Sequence, residues 1–242
     1  MKKPLLVLIA ATALATVPFS SCASPTPAPA QPVIEDSVKP GINDSFLDPE
    51  LKVEKFVERF EGESREVFAQ REVIAAAIGI ERGASIVDVG AGTGPYIGLF
   101  AEAVGPKGTV YAIDIAPNFV EHLAKRAKDE GHPQIEARLC SEDSVDLPAN
   151  SVNYAFICDV YHHFEFPRTT MASLHSALRD GGEVVIVDFY RIPGVTREWI
   201  LEHVRAGKQE VFTEMKSFGF DLVEEIPIEG LEENWVARFR KQ

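Results

Sequence analysis

Three glycines at alternate positions follow directly after an apolar segment, in the run Ile86-Val87-Asp88-Val89-Gly90-Ala91-Gly92-Thr93-Gly94. β-Branched residues around a single acid are typical of a strand buried on both faces of a parallel sheet. Glycines at the end of such a strand let the backbone turn sharply and approach a ligand where a Cβ would collide. The combination predicts a nucleoside-binding site; a tight turn without a ligand is the alternative.

A second acid ends the next predicted strand, where it can accept hydrogen bonds from a ribose. Asp114 follows Gly90 by 24 residues, close to the spacing of about 20 in nucleotide-binding β-α-β units. Its two carboxylate oxygens suit two neighbouring hydroxyl donors; a helix-capping role before Pro117 is the alternative. Gly94 is two positions after Gly92, whereas the dehydrogenase fingerprint has three, which disfavours NAD.

Candidate bases follow the fourth and fifth predicted strands. Tyr161, His162 and His163 come after the fourth, and His203 lies beyond the fifth. Histidine suits a general base because its unperturbed pKa is about 6.5. Packing or helix capping is the plainer role. The three histidines could also bind a metal, but their spacing matches no zinc signature and no cysteine joins them, so we expect no metal.

Strands and helices alternate between these residues, which indicates an α/β fold with a doubly wound parallel sheet. The predicted strands are 85–89, 109–114, 134–139, 154–159 and 183–188, followed by a terminal antiparallel pair at 220–225 and 234–240. The predicted helices are 95–104, 118–130, 167–178, 196–206 and 208–218, with two more at 48–60 and 64–77 before the first strand.

The chain resembles the class I S-adenosylmethionine-dependent methyltransferases in four motifs that occur in the same order. They are the glycine run with Asp88, the acid Asp114, the segment 139–148 and the Gly-Gly turn at 181–182. That resemblance implies a Rossmann-like seven-stranded sheet of order 3-2-1-4-5-7-6, with strand 7 antiparallel and lid helices at the amino end. It implies S-adenosylmethionine as cofactor. The cofactor-binding residues carried over are Asp88, Gly90, Ala91, Gly92, Gly94, Asp114, Ile115, Asp143, Ser144 and Asp159.

The adenine contact stays open between two acids. In the family an acid four residues before the Leu of a Leu-Pro pair binds the adenine amino group, and here that residue is Asp143. The usual Gly-Asp pair is replaced by Ser-Glu before it, so Glu142 is the alternative. The chain is similar to the small-molecule branch, near quinone-ring and arsenite methyltransferases, although it lacks the closely spaced cysteines of the latter.

The formal net charge of −13 argues against nucleic acid as a partner, because an acidic surface repels phosphate backbones. The motifs of amino-group methylation on nucleic acid are absent from the sequence. We therefore expect a small or lipophilic acceptor with an oxygen, sulfur or carbon nucleophile.

The amino end has the pattern of an export signal: Lys2 and Lys3, an apolar run from Leu5 to Val17, and then Ser20-Ser21-Cys22. The run is too short for a comfortable transmembrane helix, which needs about 20 residues. Residues 19–22 resemble a lipobox in which Cys22 becomes lipidated; cleavage by ordinary signal peptidase is the alternative. We expect a signal peptide at 1–22, a Pro-rich linker at 23–44 and a methyltransferase domain at 45–242.

Together these features predict a methyltransferase exported to the periplasmic side and anchored there to a bacterial membrane by a lipid. S-Adenosylmethionine is made in the cytosol, which motivates a different hypothesis. A non-catalytic lipoprotein could keep the donor pocket as a scavenger or sensor of nucleosides.

Overall fold

The computed structural model describes Met1 and residues 35–242 of the chain. The predicted signal peptide after Met1 and the linker up to residue 34 lie outside the described residues. Within the described part, no helix is long and apolar enough to cross a membrane.

Seven strands form one sheet: β1 Ser85–Val89, β2 Thr109–Asp114, β3 Ile135–Leu139, β4 Val152–Cys158, β5 Leu178–Phe189, β6 Phe220–Glu225 and β7 Asn234–Lys241. Their order is β3-β2-β1-β4-β5-β7-β6. The first five strands pair in parallel, whereas β7 is antiparallel to both β5 and β6. The predicted sheet topology is confirmed.

The helices connect the strands and precede them: α1 Val53–Phe60, α2 Glu66–Ala69, α3 Arg71–Ile78, α4 Ile97–Val104, α5 Pro117–Asp129, α6 Pro167–Ala177, α7 Glu198–His203 and α8 Lys208–Ser217. A 3₁₀ turn, Tyr161–His163, follows β4. Side chains of β1 alternate between two buried clusters, with Val87 and Val89 on one face of the sheet and Ile86 on the other. Both faces are therefore covered, as the β-branched pattern predicted.

Two helices before the sheet differ from their predicted bounds. The predicted helix 64–77 is interrupted at Gln70, whose backbone (φ −97°, ψ 12°) ends α2 and precedes α3. The helix predicted from 48 begins only at Val53, because the Oδ1 of Asp48 accepts the N–H of Glu50 at 2.8 Å and forms a local turn. Short polar side chains compete with helix formation in this way.

Residues 35–46, which we call the strap, pack on the domain. The Glu35 carboxylate accepts the N–H groups of Arg168 and Thr169 at 3.0 and 2.8 Å, a favourable site because helix N-termini attract negative charge. Lys39 Nζ binds the carbonyl oxygen of His203 near the end of α7. The domain thus begins by residue 35, and the linker boundary predicted at 44 is wrong for residues 35–44.

Tyr161 belongs to the core and not to a reactive site. Its side chain is fully buried, its hydroxyl donates to Glu214 Oε2 at 2.7 Å, and the Arg205 guanidinium lies over its ring. Burial and the Glu214 carboxylate raise the pKa of Tyr161 well above its usual value. The prediction of Tyr161 as a catalytic residue is wrong, because the 3₁₀ turn directs its ring under the sheet edge.

We expect Tyr161→Phe to lower the free energy of unfolding by about 1 kcal/mol, because Glu214 loses a buried donor. Urea denaturation measures the change. Tyr190→Phe is the matched control: Tyr190 is half-buried, and among the described residues its hydroxyl has no hydrogen-bond partner. Equal stability losses in the two variants would contradict the structural role of the Tyr161 hydroxyl.

Candidate active site

A cavity of about 570 Å³ opens at the carboxyl ends of β1 and β4. At this place the strand order reverses, since β1 lies between β2 and β4. Ligands of open α/β sheets bind at such a switch point. The cavity has one half on the glycine turn after β1 and another among aromatic and histidine side chains after β4 and β5.

The three glycines of the turn have different roles. All three adopt positive φ. A Cβ on Gly90 would lie 2.6 Å from Val160 Cγ1, and one on Gly94 would lie 2.7 Å from Leu123 Cδ2. Gly92 lines the cavity and has no atom nearer than 3.8 Å to such a Cβ. Gly94 does not line the cavity, so its predicted cofactor contact is corrected to a packing role between α4 and α5.

Asp114 holds the turn with both carboxylate oxygens. Its Oδ2 accepts the N–H of Gly92 and its Oδ1 accepts the N–H of Ala116, each at 2.9 Å. Burial raises the pKa of Asp114 to about 6, while these N–H groups and that of Ile115 act in the opposite direction. Each oxygen keeps a further lone pair, so the carboxylate can also accept two hydroxyl donors.

Asp88 lies beside Asp114 in the cavity wall and is 4% exposed. Burial, and then the neighbouring Asp114 charge, raise the pKa of Asp88 to about 8. At neutral pH Asp88 is therefore mostly protonated and offers an O–H donor, whereas Asp114 offers acceptors.

The segment after β3 forms one wall of the donor half. Glu142 and Ser144 line the cavity, whereas Asp143 is exposed and does not. The structure thus favours Glu142, the alternative, over the predicted Asp143 for an adenine contact. Thr93 was missed: it is fully buried, lines the cavity, and its Oγ1 has no hydrogen-bond partner in the described part of the chain. Ala91 and Ile115, which are predicted to bind the cofactor, line the cavity.

Asp159 occupies the boundary between the two halves. Its backbone is left-handed, with φ 54°, which is strained for a residue other than glycine and common at functional sites. Its carboxylate pairs with Arg65 and accepts Asn234 Nδ2 at 2.6 Å. Burial raises the pKa of Asp159 to about 6 against the opposing effect of Arg65. Both partners come from segments far from β4 in sequence.

The three predicted histidines come together in the second half. His163 Nε2 and His203 Nε2 are 3.2 Å apart, and one ring nitrogen from each of His162, His163 and His203 lies within 4.8 Å of the others. Burial, and then the neighbouring His162, lower the pKa of His163 to about 2 and that of His203 to about 4. Both rings are therefore neutral at neutral pH.

Aromatic rings surround the histidines. Phe46 packs edge-on against His163, Phe189 packs near His162, and Trp199 lies near His203. Phe60 lines the same cavity, with the Arg65 guanidinium over its ring. This half is thus suited to a small apolar or aromatic molecule with a polar atom directed at the histidines.

Comparison with known families agrees with this geometry. Residues 86–182 match the family model described as a methyltransferase domain. This range begins in β1 and ends in β5, so it contains the glycine turn, Asp114 and Asp159.

Curated relatives match about half of the chain. An uncharacterised 37.1 kDa transposon protein of Streptomyces fradiae is 31% identical over 116 residues, 48% of this chain and 33% of its own length. A demethylmenaquinone methyltransferase of Anoxybacillus flavithermus is 26% identical over 109 residues, 45% of this chain and 46% of its own. The chain thus spans half or less of the length of these relatives.

Solved structures match more of the chain. A SAM-dependent methyltransferase from Aquifex aeolicus aligns with a TM-score of 0.70 at 22% identity, over 80% of this chain and all of that one. At this identity the likeness is one of fold alone. Residues 86–182 are thus similar to a methyltransferase domain, and the sheet that contains them has the fold of S-adenosylmethionine-dependent methyltransferases.

Proposed function

We propose that the protein transfers the methyl group of S-adenosylmethionine to a small or lipophilic acceptor with an oxygen, sulfur or carbon nucleophile. The observation that carries the proposal is the single cavity that joins Asp114 and Gly92 at one end to the histidines and aromatic rings at the other. Relatives named as demethylmenaquinone methyltransferases support a lipophilic acceptor.

The donor half supplies a partner for each polar part of S-adenosylmethionine. The Asp114 carboxylate accepts from the ribose hydroxyls, and Glu142 accepts from the adenine amino group. The methionine ammonium lies against Asp159, and Arg65 takes the methionine carboxylate as a charge-assisted partner. Arg65 and Asp159 are paired in the ligand-free protein, so each exchanges part of this ion pair for a ligand group of opposite charge.

Methyl transfer is an in-line displacement in which alignment provides most of the rate. The acceptor atom bonds to the methyl carbon, the carbon–sulfur bond breaks, and its electron pair returns to sulfur. A proton must leave when the nucleophile arrives protonated. His162, His163 and His203 line the acceptor end of the cavity. Burial lowers the pKa of His163 to about 2 and that of His203 to about 4, so these two rings are neutral but are weak bases on their own.

We expect Asp114→Asn to weaken binding of S-adenosylhomocysteine by 10- to 100-fold, because hydrogen bonds to a charged acceptor contribute about 1.5–3 kcal/mol. Titration calorimetry measures binding. Transfer of labelled methyl groups to membrane and soluble extracts, at subsaturating donor concentration, should fall in parallel. Asp129→Asn is the matched control, because Asp129 is an exposed carboxylate that forms an ion pair with Lys125 on the surface of α5.

Undiminished binding in Asp114→Asn would refute the ribose assignment, and absence of binding in the wild type would refute the proposed function. Binding without transfer to thiols, phenols, quinols or carboxylates would favour the non-catalytic scavenger. Methyl transfer to an acceptor, and not affinity for S-adenosylhomocysteine, therefore distinguishes the enzyme from the non-catalytic scavenger.

The contact with the methionine part of S-adenosylmethionine is tested separately from the contact with the ribose. Arg65→Gln should weaken S-adenosylhomocysteine about tenfold or more, because a charge-assisted contact is lost. The same variant should bind 5′-methylthioadenosine, which lacks the amino acid part, as the wild type does. Asp114→Asn is the comparison, since it should weaken both ligands. Equal losses for both ligands in Arg65→Gln would contradict a contact with the methionine carboxylate.

The proposal extends to location: the enzyme is exported and held on the periplasmic side of a membrane by lipidated Cys22. The amino-terminal pattern supports this, with basic, apolar and lipobox-like parts in order before a Pro-rich segment. The strap begins the described domain only 13 residues after Cys22, so a tether would lead almost directly into the acceptor half.

We expect the wild-type chain, expressed in a bacterium with labelled palmitate, to carry the label and to fractionate with membranes. Cys22→Ser should lose both properties, because the thiol is the only lipid attachment point of a lipobox. Cys140→Ser is the control for label at another cysteine. Labelling that persists in Cys22→Ser would exclude the lipoprotein assignment.

A further inference from the structure

The spacing of the three histidines along the sequence predicts no metal site, but their ring nitrogens lie as close together in space as the ligands of one. His162 and His163 come from the 3₁₀ turn after β4, and His203 ends α7, 40 residues further along the chain. Two nitrogen ligands of a tetrahedral zinc ion, each about 2.0–2.1 Å from it, lie about 3.3 Å apart. The observed separation between His163 Nε2 and His203 Nε2 is 3.2 Å. One ring nitrogen of His162 lies within 4.8 Å of a nitrogen of each of the other two rings, so this ring would have to move closer to complete the set.

Two of the rings are oriented by partners on their other nitrogen. His162 Nδ1 is 2.7 Å from Asp188 Oδ1, and His163 Nδ1 is 3.2 Å from Asn43 Oδ1. Oxygen acceptors there require Nδ1–H, which leaves an Nε2 lone pair on each ring. Metal-binding histidines nearly always have such carboxylate or carbonyl partners.

The supporting groups are themselves fixed. Asp188 is 2% exposed and its two oxygens also accept the N–H groups of Phe189 and His162. Asn43 donates from Nδ2 to the carbonyl oxygen of His163 at 3.0 Å. The cluster is thus held by a second layer of hydrogen bonds and not by the rings alone.

A hydrogen bond between two neutral rings is the simpler account of the 3.2 Å contact. It would require Nε2–H on His203 directed at His163, and it would use neither the third ring nor its bond to Asp188. Three imidazoles that converge in the wall of a cavity, two of them oriented by partners on Nδ1, are better explained by one shared ligand.

The three imidazole nitrogens favour one class of metal ion over another. Neutral imidazoles suit zinc, copper, iron and nickel, whereas magnesium and calcium need oxygen ligands. The Asp188 carboxylate, bound to His162 Nδ1, supplies negative charge next to the cluster.

We propose that His162, His163 and His203 bind one zinc-class divalent ion whose fourth position faces the acceptor half of the cavity. The use of that position rests on the proposed function: it takes a hydroxyl or thiol of the acceptor. An ion held by the three histidines would lower the pKa of such a group, which would lose its proton to water and present an anionic oxygen or sulfur to the sulfonium methyl.

The test measures metal binding without reference to activity. Untagged full-length protein, stripped with a chelator, is titrated with Zn²⁺ and separately with Mg²⁺ in competition with an indicator dye. We expect one Zn²⁺ per chain and no competition from Mg²⁺. His203→Gln, in a half-buried position, should weaken Zn²⁺ binding by about 100-fold or more, and Asp188→Asn by about 10- to 100-fold.

His175→Gln is the matched control, since His175 packs against Phe220 away from the cavity, and it should bind Zn²⁺ as the wild type does. Folding of each variant is checked by circular dichroism. Absence of Zn²⁺ binding by folded wild type, or equal binding by folded His203→Gln, would overturn the metal site. Calorimetry with S-adenosylhomocysteine on the same preparation reports separately on the proposed function, which stands if only the metal titration fails.

Discussion

The donor half depends on a carboxylate that is buried without a cation in contact with it among the described residues. Asp114 is 6% exposed, and its near partners are the N–H groups of Gly92 and Ala116. Burial disfavours its charge and the two N–H groups favour it, which gives a pKa of about 6. A buried acceptor with lone pairs left over costs free energy in folding, and a ligand with two hydroxyl groups recovers part of it.

The same carboxylate fixes the glycine turn. Ala91 donates its N–H to the Ile113 carbonyl at 2.9 Å, and Gly92 donates to Asp114. The turn after β1 is therefore attached to the end of β2 at two successive residues. Positive φ at Gly90 and Gly92 makes this possible, because the chain has to reverse direction within three residues. These two bonds fix the position of the turn relative to β2.

Much of this half could be predicted from sequence, because it is local. The strand before the turn, the turn itself and Asp114 lie within 30 residues, and the β-branched apolar run before the glycines is typical of a buried parallel strand. Errors arose where a role depends on packing. Gly94 has the motif's spacing but faces Leu123, and Asp143 is next to the residue that lines the cavity.

The acceptor half was only partly predictable, because remote segments form it. The sequence identified His163 and His203 separately, but no periodicity indicates that α7 carries His203 to within 3.2 Å of the turn after β4. Nor does it indicate that Arg65, from the segment before α2, reaches the Asp159 carboxylate. For Tyr161 the sequence position is misleading in the opposite direction. Val160 and His162 line the cavity, but the 3₁₀ turn places the ring of Tyr161 in the core.

The strap connects these remote pieces. Asn43 holds both the ring and the carbonyl of His163, and Lys39 binds the carbonyl oxygen of His203. Both contacts are side-chain hydrogen bonds at the edge of the domain, whereas the donor half is held by backbone pairing within the sheet. The strap thus positions His163 and His203 from outside the sheet, whereas the pairing of β1 with β2 positions Asp114 and the glycine turn.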